Sequence, residues 1–132
     1  MEKVANFLQQ LKIRYDVFSE NGVTFGLSDD GVFTDITITE DKRLDRICYY
    51  AKMKDLYFEK EIMSVVQDMV SEINNTISYG HISLGVIGPN CVALYRCHSS
   101  LKDITLDEIH YNIKACNFMV HEYFKSFEHL RV

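Results

Sequence analysis

The chain has 132 residues, of which 47% are hydrophobic, 12% aromatic and 25% charged. That length buries roughly two thirds of the extended-chain surface, enough for a core without metal or disulfide staples, and the composition excludes disorder. Fourteen basic against nineteen acidic residues leave a net charge of −5, which argues against a nucleic-acid binder, whose affinity rests on surplus Lys and Arg facing phosphates.

The start, Met1-Glu2-Lys3-Val4-Ala5-Asn6-Phe7, has neither the basic nor the apolar region of a signal peptide. Nowhere do about eighteen apolar residues follow one another, so no membrane span is expected. The expectation is a single domain over 1–132, cytoplasmic, with Cys48, Cys91, Cys97 and Cys116 as reduced thiols.

Val4, Phe7, Leu8 and Leu11 recur at helical spacing and predict a first helix over Glu2 to Lys12. A short strand over Tyr15 to Ser19 is expected next. The period then drops to two, with Val23, Phe25 and Leu27, and then Val32, Ile36 and Ile38, alternating with their neighbours. Asn21-Gly22 and Asp30-Gly31 are dipeptides that tolerate the positive φ of a tight hairpin, so these antiparallel strands pair directly. Glu40 to Lys42 makes the next turn, and Leu44 to Met53 reads as a further strand.

A helix is predicted from about Glu59 to Ser78, where Ile62, Val65, Val66, Met69, Val70, Ile73 and Ile77 cover an arc of roughly 140°. Met63 widens it. So broad an arc exceeds what one sheet face covers, leaving part for another helix of the chain or for a second copy. A hairpin follows, His81 to Ile87 and Cys91 to His98 around Gly88-Pro89-Asn90. Its second strand is open to two readings, with either Val92, Leu94, Arg96 and His98 or Ala93, Tyr95 and Cys97 facing the core. The last helix starts at Thr105-Leu106-Asp107-Glu108, a capping box, and runs on a stripe of Ile109, Ile113, Cys116, Val120, Phe124 and Phe127. The pattern is α+β: one antiparallel sheet of five to six strands with three helices, in the order α-β(3-4)-α-β-β-α.

No cluster has the spacing of a metal, cofactor or nucleophile site. Cys97-His98 is the only adjacent Cys/His pair, and neighbours in a strand point to opposite faces. Asp29-Asp30-Gly31 lacks the remaining ligands of a calcium loop, and the glycines of the hairpin do not join a strand to a helix N-terminus. No cofactor and no catalytic residue are expected. On the outer side of the last helix, His110, Lys114, His121 and Lys125 fall within about 60°, with Tyr111 and Phe118 beside them. Charges usually just solvate a helix and single exposed aromatics are common. An aromatic pair among cations also makes a partner-binding surface for an acidic or amphipathic segment.

Element order, the Ser71-Glu72-Ile73-Asn74-Asn75 stretch before the hairpin, and Leu101-x-x-Ile104-Thr105-x-x-Glu108 before the final helix together resemble the YbjN family, bacterial proteins related in fold to type III secretion chaperones. The resemblance covers nearly the whole chain and implies one curved sheet with helices laid against it. It also implies a homodimer through the middle helix, at Met63, Val66, Val70 and Ile77, and a surface that holds an extended segment of a client protein. The family has no catalytic motif to carry over. The expected function is a non-enzymatic protein-binding module, chaperone-like or regulatory, with an unidentified client. The competing expectation is a small-molecule or enzymatic pocket between sheet and helices, lined by His81, Tyr95 and His98.

Overall fold

In the computed structural model, which describes residues 1–132, the amphipathic start becomes α1 (Glu2–Gln10), burying Val4 and Leu8. It ends where Lys12 takes a left-handed φ of 59°. Four strands follow as a meander: β1 (Asp16–Ser19), β2 (Gly22–Asp29), β3 (Val32–Asp41) and β4 (Arg46–Met53). Asp30 and Gly31 both have positive φ in the β2–β3 turn, the backbone that the dipeptide predicts. At the β1–β2 turn the loop is Glu20-Asn21, and Gly22 already pairs with Ser19. Gly22 is required there for space, not for φ, since a Cβ would come within 2.2 Å of the Phe18 ring.

The predicted long middle helix divides. Phe58 and Glu59 form β5, a 3-10 turn spans Lys60–Ile62, and α2 runs only from Met63 to Asn74. Burial of Phe58 decides this: its ring is fully enclosed and meets Phe127 edge-on at 6.0 Å, with the backbone extended against Cys91. Packing a Phe outweighs the weak helical preference of the residues around it. The hairpin of β6 (His81–Ile87) and β7 (Asn90–Ser100) turns at Gly88-Pro89, with Gly88 at φ 56°. Thr105 then caps α3 (Leu106–Tyr123), accepting from the Glu108 N–H at 3.2 Å.

All seven strands join one antiparallel sheet, one more than expected because of β5. The order is β1-β2-β3-β4-β7, with β6 along the far side of β7. β5 takes over from β4 beside β7, at Cys91. The open question of β7 is resolved by the β4 pairing: Tyr49 opposes Cys97 and Ala51 opposes Tyr95, so Ala93, Tyr95 and Cys97 face the core. Arg96 and His98 share the other face with Tyr50 and Cys48.

On the inner face α3 lies across β3, β4 and β7, burying Ile109, Ile113, Cys116 and Val120, and α1 packs beside it. Beyond Tyr123 the helix tightens to a 3-10 segment, Phe124–Leu130. Residues three apart eclipse in that geometry, which sends Phe124 and Phe127 into the core together. α2 sits against β6. No helix is long and apolar enough to cross a membrane.

Candidate functional site

The outward side of α3 is built by the commitment of its other side to the core. With Ile109, Ile113, Cys116 and Val120 fully used, His110, Tyr111, Lys114 and Phe118 are left facing solvent. Tyr111 and Phe118 are 58% and 57% exposed. Tyr111 is steadied by an edge-on contact with Tyr79 at 5.5 Å. The other two residues of the predicted surface depart from it. His121 is half-buried, with Nε2 enclosed and without a hydrogen-bond partner. Lys125 is exposed but lies on the 3-10 segment, where the 100° step that aligned it with Lys114 no longer holds.

The middle helix presents less to a second copy than its sequence suggests. Val66 and Val70 have no exposed surface and belong to the core of this chain, because α2 turns that stripe toward β6. Met63 and Ile77 are half-buried and pack against the same core. Of the apolar residues of α2, Val65 faces solvent, at 49% exposure.

The three residues expected to line a pocket between sheet and helices are split by the pleat. Tyr95 points into the core, where its hydroxyl donates to the Tyr79 carbonyl at 2.6 Å. Tyr79 in turn donates to Asn112 Oδ1 at 2.5 Å, and Asn112 Nδ2 donates to the Glu108 carbonyl at 2.8 Å. A second buried tyrosine, Tyr49, shares a 3.1 Å hydrogen bond with Ser99. Burial pushes the Tyr79 phenol up to about 12 and those of Tyr49 and Tyr95 higher still. The hydroxyls therefore act as neutral hydrogen-bonding groups: those of Tyr95 and Tyr79 tie the α2–β6 connector to β7 and α3, and that of Tyr49 ties β4 to β7.

His81 and His98 stand on the opposite, outer face. There they join Arg46, Cys48, Tyr50 and Arg96 around a cleft of about 450 Å3, walled on one side by the connector from Ser78 to Gly80. The Arg96 guanidinium lies over the Tyr50 ring, 4.8 Å from its centroid. Arg46, Arg96 and Tyr50 were not singled out by sequence spacing, since only the β4–β7 register brings them together. The one available signal was that Arg96 is in phase with His98.

With this geometry the chain superposes on YbjN from E. coli at a TM-score of 0.68, over 90% of this chain and 84% of that one, at 14% identity. The fold is that of YbjN. A second match lies in the HopA1–SchA chaperone–effector complex, with a TM-score of 0.60, 12% identity, and 89% and 87% of the two chains covered. No protein-family model matches the chain, and no curated protein does. At 14% identity the likeness to YbjN is one of fold.

Proposed function

We propose that this chain is a non-enzymatic protein-binding module, chaperone-like or regulatory, that works in the cytoplasm and holds a segment of a client protein. Its fold is shared with a chain of a chaperone–effector complex and with YbjN, itself described as a candidate transcription regulator. The observation that carries the reading is the pair Tyr111 and Phe118, each more than half exposed on a helix whose opposite side is fully packed. Large aromatics among cations are the side chains that anchor an interface, because they bury much area at little entropic cost. His110 and Lys114 beside them favour an acidic or amphipathic segment.

The test is capture of partners from the host's lysate on the tagged chain, beside a Tyr111→Ala/Phe118→Ala double variant. One protein recovered near stoichiometrically and lost with the variant is expected. Equal recovery on both, or none on either, would remove the assignment. Sedimentation of the free chain and of the variant reads whether a second copy occupies the same surface.

A further inference from the structure

We propose that the cleft on the outer face of the sheet binds a phosphorylated small molecule, its phosphoryl group held between Arg46 and Arg96 above the Cys48–His98 pair. This site is separate from the α3 surface and does not depend on it.

Register places the groups. Tyr50, Arg96 and His81 are cross-strand neighbours on β4, β7 and β6; Cys48 opposes His98 one row on, and Arg46 opposes Ser100 in the row after that. Strands lie about 4.8 Å apart, and successive residues on one face are separated by about 6.7 Å along a strand. The two arginines thus stand on either side of the Cys48–His98 row, about 13 Å apart along the strands, and all four residues line the same cleft.

The residues that line the cleft carry charge of one sign, while Asp41 opposes Arg46 on β3 and lines the adjoining depression together with Glu40. The chain carries nineteen acidic residues, yet no Asp or Glu lines this cleft. The ion pairs of the molecule are Met1 with Glu40, Arg43 with Asp41 and Lys52 with Asp35, so neither arginine of the cleft is ion-paired. Stacking on Tyr50 holds the plane of Arg96 while leaving its N–H fork free to meet an anion bidentately.

The opposite wall is held as firmly. Gly80, at φ 73°, presses on β7 where a Cβ would stand 2.5 Å from both the Arg96 carbonyl and the Tyr95 hydroxyl. The Tyr95–Tyr79 and Tyr79–Asn112 bonds fix that approach.

A planar carboxylate presents both of its oxygens in one plane and so meets one guanidinium fork well, whereas the oxygens of a phosphoryl group point in different directions and can meet donors from two sides. At about 450 Å3 the cleft falls within the range of small-ligand sites, about 300 to 1,000 Å3. A bare phosphate leaves room, and the remainder of the ligand lies against Tyr50 and the connector. The chain's net charge of −5 disfavours a polyanion as occupant.

The experiment titrates the full chain calorimetrically with inorganic phosphate, pyrophosphate, succinate and a phosphoserine hexapeptide. In parallel, the rate of iodoacetamide attack on Cys48 is followed by mass spectrometry. Pyrophosphate should bind one to one, more tightly than succinate, and slow Cys48 alkylation several-fold. Arg46→Gln and Arg96→Gln should each weaken binding about tenfold or more at unchanged melting temperature. No saturable binding, or binding indifferent to both substitutions, overturns the site. Succinate matching pyrophosphate overturns the phosphoryl assignment, and a hexapeptide binding more tightly than either phosphate overturns the small-molecule one.

Discussion

The Asn74 side chain does for Ile82 what a neighbouring strand would do: Oδ1 accepts from the Ile82 N–H at 2.7 Å and Nδ2 donates to the Ile82 carbonyl at 2.8 Å. A helix residue thereby closes the outer edge of β6 where that strand begins. An unpaired edge is a template for another chain, and the other edge, β1, is only four residues long with an irregular register between Val17 and Ser19. Addition of a client strand is thus obstructed at Ile82, where β6 begins, and β1 offers only a short, irregular edge.

Asn74→Ala removes both bonds and leaves two backbone groups of a buried residue without partners. The expected loss is about 2 to 3 kcal/mol, read by urea denaturation, together with self-association at high concentration. Asn74→Asp keeps an acceptor for the N–H but sets an anion against the carbonyl, so it should not rescue. A variant as stable as the parent would show that water satisfies Ile82 equally well.

Gly80 and Gly31 share a positive φ but differ in surroundings. A Cβ at Gly31 meets nothing within 4 Å, whereas at Gly80 it meets the β7 backbone and a buried hydroxyl. Gly31→Ala should cost about 1 kcal/mol, the left-handed strain alone. Gly80→Ala should cost about 3 kcal/mol or more, since the connector must also move away from β7. Thermal melts of the two variants side by side give the ordering, and equal shifts would contradict the close approach.

Alkaline pH should unfold this protein through its interior tyrosines. Burial holds the phenols of Tyr49 and Tyr95 far above their ordinary value and that of Tyr79 at about 12, while in the unfolded chain they ionise near 10. Above that pH the folded state binds more protons than the unfolded one, so stability is full below about pH 10 and falls as the pH climbs toward 12. Urea midpoints at pH 8, 9.5 and 10.5 should show the fall, and Tyr49→Phe should make it shallower. A midpoint independent of pH would refute the linkage.

Phe118 and Phe124 test the two sides of the last helix. Phe118→Ala removes an exposed ring and should change stability by less than about 0.5 kcal/mol. Phe124→Ala empties a site with no exposed surface and should cost about 3 to 5 kcal/mol. Similar losses in the two denaturation curves would mean that Phe118 is packed in solution.

Of the four thiols, Cys48 is half-exposed in the outer cleft and Cys91, Cys97 and Cys116 are buried. Burial raises the Cys91 thiol; a hydrogen bond with Cys97, and then burial, raises that of Cys116. Ellman's reagent should therefore titrate one thiol in the native protein and four in denaturant. Rapid reaction of more than one would mean that the sheet opens locally.

The order of elements was legible because it rests on local signals: the Thr105 cap, the Asp30-Gly31 turn and the alternation of β2 through β4 all act within a few residues. The extended segment at Phe58 was not legible, since the ring that encloses it, Phe127, lies at the far end of the chain. The buried face of β7 was undecided for the same reason, because both of its phases carry apolar residues and only pairing with β4 chooses between them. On α3 the exposed aromatics follow from helical spacing alone, while the partial burial of His121 depends on tertiary packing. The basic cleft is a product of register between strands distant in sequence, which no window of neighbouring residues contains.

β7 meets β4, β5 and β6 in succession, so the meander of the first half of the chain takes its last partner from the second half. Neither half owns a finished sheet. Pulling β7 away would strip Tyr49, Ala51, Phe58 and Ile82 of a neighbour at once. The structure gives heat or denaturant no weaker piece to remove first, and loss of order should come as one cooperative event. A ligand gripping β7 from the outer face would, by the same connection, steady the helix that covers its inner face.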